Sequence, residues 1–308
     1  MGIILYKEPE LKDPVMIVGW PGIGNIGLIA VNTLRKATEA EEFGEIEGWD
    51  FFFPKKVIIK TGLLENLEFP TNKFYFKRLE KNDLIFFIGE EQPKKQSASG
   101  YAEGEEAYRM ANLVLNVAEK FGCKRIYTSG AAVTIIHHTM KSRVWAVPNT
   151  ERLLKETKRY PNTVFMSQVE GRGGQGFISG LNGLLLGVAK KRGFDGVCLM
   201  GEIPVYFQGL LIPYPKASKS VLEVFGEVLG IKIDFDKFDK NYQVMEKKIE
   251  DIYNQIPSEV KEQLEKLKEI SYLRQAELEP LSDENRKRLW DEISEFLKKE
   301  DRRDEEAI

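Results

Sequence analysis

Two glycine-rich turns have the residue types and spacing to bind a ligand. Both match the pattern G-x-G-x-x-G, at Gly22, Gly24 and Gly27 and again at Gly171, Gly173 and Gly176. Each turn follows an apolar run typical of a strand and enters a helical pattern, which is the setting of a dinucleotide-binding turn. Glycines there leave backbone N–H groups open to an anion. The candidate ligand-binding residues of these turns are Gly22, Gly24, Asn25, Gly27, Gly173, Gly174 and Gly176.

A second interpretation of the turns requires no ligand, and the sequence favours it. A dinucleotide site places an acidic residue at the end of the next strand, about 20 residues on, to bind the ribose. The first turn is followed there by a polar connection, 39–47, and the second offers only Glu202. No G-x-x-x-x-G-K-[ST] motif is present. Tight turns that let a helix pack closely on a strand explain the glycines, and no cofactor is predicted.

Three carboxylates form a second candidate site. Glu90 and Glu91 end the apolar run 84–88, and Glu202 ends the run 196–200. Because ligands of doubly wound folds bind beyond the carboxyl ends of the strands, these side chains could converge on Mg²⁺ or an amine. Charged strand ends in contact with solvent explain the three residues equally well. We therefore include Glu90, Glu91 and Glu202 among the candidate ligand residues and predict no metal site.

Catalytic residues are not evident from the sequence. A G-x-S-x-G nucleophile elbow is absent, and the only histidines are the adjacent pair His137 and His138. Adjacent residues of a strand would point to opposite faces, so without more His or Cys a zinc site is not predicted. The pair is expected to lie exposed in a loop. Cys123 and Cys198 adjoin apolar runs and are expected to be buried, inert thiols. These patterns favour a role other than that of an enzyme.

The order of elements indicates an α/β fold. Apolar runs at 15–18, 84–88, 125–129 and 196–200 alternate with helical patterns such as 105–121. Alternation of this kind predicts a doubly wound, mostly parallel sheet, and strands without polar alternation predict burial on both faces. An antiparallel pair within 57–76 is expected to add edge strands.

Composition limits the classes of partner and compartment. The 308 residues are 42% hydrophobic and 30% charged, with a formal net charge of −3. Nucleic-acid binding usually requires a basic surface, so no nucleic-acid partner is predicted. No window approaches 18 uninterrupted apolar residues, and the start of the chain lacks a signal-peptide pattern, so neither a membrane nor export is predicted. A cytoplasmic protein is expected, and abundant Lys and Glu are compatible with a thermophile.

The last part of the chain differs from the rest. All 26 glycines lie at or before position 230, and 34 of the final 70 residues are charged. We therefore predict an α/β core domain at 1–233 and a charged helical extension at 234–308. Apolar residues at alternating spacings of three and four, typical of a helix–helix seam, begin the extension. They are Phe235, Phe238, Tyr242, Met245, Ile249, Ile252 and Ile256. The seam fits packing on the chain's own core or on a partner equally well.

A series of motifs resembles the archaeal proteasome assembly chaperone family. The resemblance covers about residues 14–230, and its motifs occur in the family's order. They are GWPGIGNIG at 19–27, DLIFFIGEEQP at 83–93, GGQGFISGLNGLLL at 173–186, VCLMGEIPVY at 197–206 and PYPKASKSVLEVF at 213–225. Each motif alone is weak, but the series is specific.

The resemblance implies a nucleoside-phosphorylase-like core and a non-enzymatic, oligomeric, protein-binding scaffold. The expected partners are further copies of the chain, a paralogue or proteasome α subunits. Some relatives insert a tail ending hydrophobic–Tyr–any residue between α subunits, whereas this sequence has Ala307 at the tyrosine position. The candidate partner-binding residues are Tyr242, Met245, Ile249, Ile252, Ile256, Ala307 and Ile308. The alternative is an enzyme, ATP-grasp-like or nucleoside-processing, that binds a nucleotide or small anion at the glycine turns.

Overall fold

A nine-stranded sheet with helices on both faces forms the centre of the computed structural model. The structure describes residues 2–93, 104–168, 176–210, 212–256 and 258–268. Within them the strands are β1 (Ile3–Leu5), β2 (Val15–Gly19), β3 (Glu41–Ile46), β4 (Lys56–Lys60), β5 (Leu63–Glu68), β6 (Asn72–Lys77), β7 (Leu84–Gly89), β8 (Arg125–Thr134), β9 (Val144–Pro148), β10 (Thr163–Val164) and β11 (Asp195–Pro204). The helices are α1 (Ile26–Ala37), α2 (Glu105–Lys120), α3 (Glu151–Thr157), α4 (Gly180–Lys191), α5 (Pro215–Leu229), α6 (Asp236–Asn254) and α7 (Ser258–Glu265).

The sheet is mixed, with a parallel centre. Its strand order is β1-β3-β6-β7-β2-β8-β11-β9-β10. The four central strands β7, β2, β8 and β11 run parallel to one another. Strands β1, β3 and β6 add antiparallel pairs at one side, and β9 is antiparallel to β11. The predicted α/β class is therefore confirmed, while the parallel arrangement holds for the centre of the sheet rather than for most of it.

The central strands are buried on both faces because helices cover each side. Along β2, Met16 and Val18 join the cluster beneath α2 and α4, whereas Ile17 joins the cluster beneath α1 and α5. Successive side chains of a strand point to opposite faces, so an uninterrupted apolar run supplies both clusters. This layering explains why these strands show no polar alternation.

The expected edge pair within 57–76 is only partly correct. Strand β6 joins the main sheet between β3 and β7, but β4 and β5 pair only with each other in a separate hairpin. The hairpin contributes no residue to the hydrophobic clusters among the described residues. Only β4 was recognisable from its apolar residues; strand β5 and the separation of the hairpin from the main sheet were not.

Both cysteines are buried free thiols, as expected. Burial raises the pKa of Cys123 to about 12 and that of Cys198 to about 11, so both thiols stay protonated and unreactive at neutral pH. Among the described residues, no helix combines the length and apolar character needed to cross a bilayer.

Candidate functional site

At Gly24 the first glycine turn is filled by atoms of the protein itself. Gly24 has a φ of 59°, and Asn25 beside it has a φ of 48°, so both adopt the left-handed conformation. The backbone N–H of Tyr214 donates a hydrogen bond of 2.8 Å to the Gly24 carbonyl. A Cβ added at Gly24 would lie 2.9 Å from the Tyr214 Cβ. The segment before α5 therefore packs on the turn at Gly24.

Gly27 allows α1 to pack closely on the sheet. A Cβ at this position would lie 2.3 Å from the carbonyl oxygen of Ser129 in β8. Real Cβ atoms essentially never approach an oxygen so closely, and the oxygen belongs to a backbone that the sheet holds in place. The role of Gly27 is therefore close helix–strand packing, as the ligand-free interpretation of the sequence predicts.

A glutamine that the sequence analysis did not single out links the two glycine-rich segments. The Oε1 atom of Gln92 accepts a hydrogen bond of 2.9 Å from the Leu181 N–H in the first turn of α4. Its Nε2 atom donates a bond of 2.5 Å to the carbonyl of Pro21. The Gln92 side chain thus accepts a hydrogen bond from a backbone N–H at the N-terminus of α4, a group that an anion bound there would otherwise contact. Its place three residues after a buried strand was the signal that the sequence offered.

The second turn lies partly outside the described residues, which include neither Gly173 nor Gly174. Gly176 is described, and a Cβ there would lie 2.3 Å from the Met166 methyl group. Gly176 and Gly22 line one cavity of about 300 Å³. The two candidate turns therefore do face a common space.

The lining of this cavity indicates which ligands it could accept. Its described lining contains no charged side chain; the polar side chains are Gln92, Thr134, Ser179, Asn182 and Gln208. The Oδ1 atom of Asn182 is buried without a hydrogen-bond partner among the described residues. A phosphate would find no cation here to compensate its charge. Among the described residues, the cavity therefore offers an anion only neutral polar groups.

The three candidate carboxylates do not converge. Glu90 accepts hydrogen bonds from the Thr71 N–H at 2.9 Å and from Lys55 at 3.0 Å, and Glu91 lies 3.7 Å from the same lysine. Burial opposes ionisation of Glu90, but these hydrogen bonds outweigh it and lower the pKa of its carboxyl. Glu202 belongs to β11, separated from β7 by β2 and β8. Within the described ranges, no group of three acidic, histidine or cysteine side chains could hold a metal ion.

Glu202 instead ties β11 to β9 inside the protein. Its fully buried carboxylate accepts hydrogen bonds from the Trp145 indole N–H at 2.6 Å and from the Arg143 backbone N–H at 2.9 Å. Burial raises the pKa of Glu202, and the bonds from Arg143 and Trp145 partly offset this rise. Because each oxygen of the carboxylate accepts a hydrogen bond from one of these fixed donors, we assign Glu202 a structural role rather than a role in ligand binding.

The histidine pair is buried, so the expectation of an exposed loop was wrong. The His137 and His138 rings lie 4.3 Å apart, and α6 covers both. The Nε2 atom of His137 is 3.2 Å from the Tyr253 hydroxyl, and that of His138 is 3.2 Å from Glu250. Tyr206 also hydrogen-bonds His138, at 3.0 Å. The pair does follow β8 in a loop, as expected, but α6 covers that loop, so only the expected exposure was wrong.

The apolar seam of the extension lies against the core of the same chain. Ile249, Ile252 and Ile256 are at most 4% exposed and belong to the cluster of α1 and α5. Met245 packs partly buried at its edge, and Tyr242 is half-buried. Ion pairs flank the seam, including Lys219 with Asp239 at 2.6 Å and Lys216 with Glu246 at 2.9 Å. Ala307 and Ile308 lie outside the described residues.

Acidification is expected to weaken the packing of α6. Burial first, and the neighbouring His138 second, lower the pKa of His137 from its ordinary value of 6.5 to about 4. The unfolded chain therefore takes up this proton at a higher pH than the folded chain does. The resulting stability is present above about pH 6.5 and is lost as the pH falls toward 4. The melting temperature should fall as the pH is lowered from about 6.5 to about 5, where most carboxylates are still ionised.

The control for this effect is the His137→Gln variant, which cannot take up the proton. Burial also lowers the pKa of His138, against an opposing contribution from Glu250, so this second group still titrates in the variant. The fall in melting temperature should therefore be smaller in the variant, though not absent. Equal slopes in the two proteins would show that His137 does not couple α6 packing to pH.

Comparison with known proteins adds relatives of similar length and fold. The family model described as the PAC2 family matches residues 16–253. The uncharacterized protein MJ1210 of Methanocaldococcus jannaschii is 30% identical over 246 residues, which are 80% of this chain and 84% of that protein. Two solved structures of Pyrococcus furiosus proteins, PbaB and PbaA, are also similar to this chain. The crystal structure of PbaB, an archaeal proteasome activator, is 28% identical with a TM-score of 0.65, over 81% of this chain and 97% of PbaB. PbaA, an archaeal homolog of proteasome-assembly chaperone, is 23% identical with a TM-score of 0.58, over 80% of this chain and 93% of PbaA.

Proposed function

Because its residues 16–253 match the family model, the chain belongs to the PAC2 family, and we propose that it is a non-enzymatic, proteasome assembly chaperone-like protein. Its action is to hold proteasome α subunits through an oligomeric scaffold. The similarity to PbaB carries this proposal, since it combines 28% identity with coverage of 97% of a proteasome activator. The similarity to PbaA supports the fold.

The chemistry of the candidate site supports a binding role rather than a reaction. Tyr214 covers the first glycine turn, Gln92 occupies the N-terminus of α4, and Glu202 is engaged by Trp145 and Arg143. A reaction needs a group that touches the reacting atoms and can exchange a proton, a bond or a charge with them. The described cavity offers neutral amides and hydroxyls instead. These features favour the chaperone proposal over the nucleotide- or anion-binding enzyme.

The architecture of the proposed scaffold has two parts. Residues 1–233 form a nucleoside-phosphorylase-like core, and residues 234–308 form a charged extension whose first helix, α6, packs on that core. The scaffold is a homo-oligomer in the cytoplasm, and the abundance of Lys and Glu together with archaeal relatives supports a thermophilic archaeon as its source. In this proposal the charged residues beyond α6 contact a partner.

The proposal can be tested by affinity capture from a native lysate of the source organism. Mass spectrometry of the captured proteins should show proteasome α subunits enriched over a capture with an unrelated protein of similar charge. Capture of a paralogue without α subunits would contradict the homo-oligomeric scaffold. Loss of α subunits from the capture, together with a nucleotide bound to the purified protein, would favour the enzyme hypothesis.

A further inference from the structure

The last part of β8 extends past its neighbour β2. Strand β11 pairs with β8 along its whole length, whereas β2 pairs only with residues 125–128 and ends at Gly19. Residues 130–134 of β8 line the cavity of about 300 Å³ that Gly22 and Gly176 share. We call this cavity the β8 cavity. One of its walls is therefore the part of β8 that β2 does not cover.

The backbone groups of Ala131 and Val133 form an open edge on this wall. In a parallel pair, alternate residues direct their N–H and C=O groups to opposite neighbouring strands. The Asp195 N–H donates a hydrogen bond of 3.0 Å to the Lys124 carbonyl, so the even-numbered residues of β8 face β11. The odd-numbered residues face the side of β2, where neither Ala131 nor Val133 hydrogen-bonds another described residue. Such an edge can pair with an added strand.

A buried asparagine in the wall of the β8 cavity also lacks a partner. Asn182 of α4 is 7% exposed, and its Oδ1 atom accepts no hydrogen bond from the described residues. Its Nδ2 atom lies beside β8, 3.6 Å from the position of a Cβ added at Gly130. By contrast, Asn149 is fully engaged, since it accepts from the Gly196 N–H and donates to the Phe194 carbonyl, both at 2.9 Å. A buried acceptor without a donor lowers stability, so the state of Asn182 calls for an explanation.

The spacing and the chemistry of these groups indicate which ligand fits. Ala131 and Val133 are two residues apart, so their backbone groups repeat after about 6.6 Å, which is the repeat of a second strand. The described lining has no charged side chain, and Trp145 and Met200 add apolar surface to it. A volume of about 300 Å³ is at the small end of ligand sites and limits an enclosed peptide to about three residues. An uncharged peptide in an extended conformation matches all of these features.

We propose that the β8 cavity binds an uncharged peptide segment as an added strand on Ala131 and Val133. A backbone N–H of the peptide donates to the Oδ1 atom of Asn182, and an apolar side chain of the peptide packs on Met200. The acceptor that is unsatisfied in the empty protein is thereby satisfied in the complex. This site goes beyond the proposed scaffold function and does not depend on it.

The first test is a titration of the ¹⁵N-labelled full-length protein with the uncharged peptide acetyl-Ala-Val-Ala-amide, followed by NMR. The N–H resonances of Ala131 and Val133 should shift with a common dissociation constant. The same peptide with a methyl group on its valine nitrogen lacks one donor and should bind about tenfold more weakly or worse. Equal dissociation constants for the two peptides would overturn the strand pairing. Absence of binding to the wild-type protein, for instance because another segment of the chain fills the cavity, would overturn the proposal.

The two buried asparagines provide a matched pair of variants. Asn182→Leu should raise the dissociation constant of the peptide about tenfold or more, while the urea midpoint of unfolding stays the same or rises. Asn149→Leu should lower the midpoint, because it leaves the Gly196 N–H and the Phe194 carbonyl without a partner, and the folded protein should bind the peptide as the wild type does. Unchanged peptide binding by Asn182→Leu, with a lowered midpoint, would overturn the role assigned to Asn182 and make it a structural residue.

Discussion

Replacement of Gly27 by alanine is expected to lower the free energy of unfolding by about 3 kcal/mol or more. The added methyl group would lie 2.3 Å from the carbonyl oxygen of Ser129, so α1 or β8 must shift to admit it. Neither element can shift freely, because α1 is packed beneath α5 and β8 is hydrogen-bonded between β2 and β11. The loss should appear in urea unfolding as a lower midpoint with an unchanged slope.

Gly22 provides the control for this substitution within the same turn. Its φ of −168° is extended backbone that any residue adopts, and a Cβ there would meet no atom within 4 Å. The Gly22→Ala variant should therefore unfold within about 0.5 kcal/mol of the wild type. Similar losses for Gly22→Ala and Gly27→Ala would contradict the packing explanation of the turn.

Replacement of Glu202 by leucine is expected to cost about 3–5 kcal/mol. Burial disfavours the ionised form of the Glu202 carboxyl group and so raises its pKa. The loss arises because the Trp145 indole N–H and the Arg143 backbone N–H would remain buried without an acceptor, and the Arg143 guanidinium would lose a nearby negative charge. Thermal or urea unfolding followed through tryptophan fluorescence would measure the effect and report the surroundings of Trp145.

Two further variants separate this cause from a general effect of removing an acid. Glu202→Gln retains one acceptor oxygen but places an NH₂ group against the second donor, so its loss should be intermediate. Glu91→Leu removes an exposed carboxylate that lies 3.7 Å from Lys55, and should change stability by less than about 0.5 kcal/mol. A Glu202→Leu protein as stable as Glu91→Leu would contradict the proposed role.

The sequence allowed the sheet centre and the turns to be predicted because both depend on local patterns. Apolar runs such as 84–88 can be recognised as buried strands, and glycines between a strand and a helix indicate that the two elements pack closely. The contact of Gly27 with Ser129 joins positions 102 residues apart, but the requirement for a small side chain is already evident in the turn. The direction and order of the outer strands depend on long-range pairing, so the mixed character of the sheet was not predictable.

Other features depended on distant parts of the chain that no local pattern specifies. The histidine pair is buried because Tyr253 and Glu250 of α6 cover it, more than 110 residues later. The seam of α6 showed which of its faces is apolar, but an apolar face of a helix packs as well on a partner as on its own core. The hairpin presents a further case, since the apolar run of β4 was recognisable while its pairing with β5, apart from the main sheet, was not.

The most direct test of the account is native mass spectrometry of the purified protein mixed with purified proteasome α subunits from the same source. We expect complexes that contain both chains, with no nucleotide bound to the protein alone or in the complex. The Glu202→Gln variant, if folded, should form the same complexes, because Glu202 is structural. Absence of any complex, with a nucleotide bound to the protein alone, would contradict the scaffold function and favour nucleotide binding at the glycine turns.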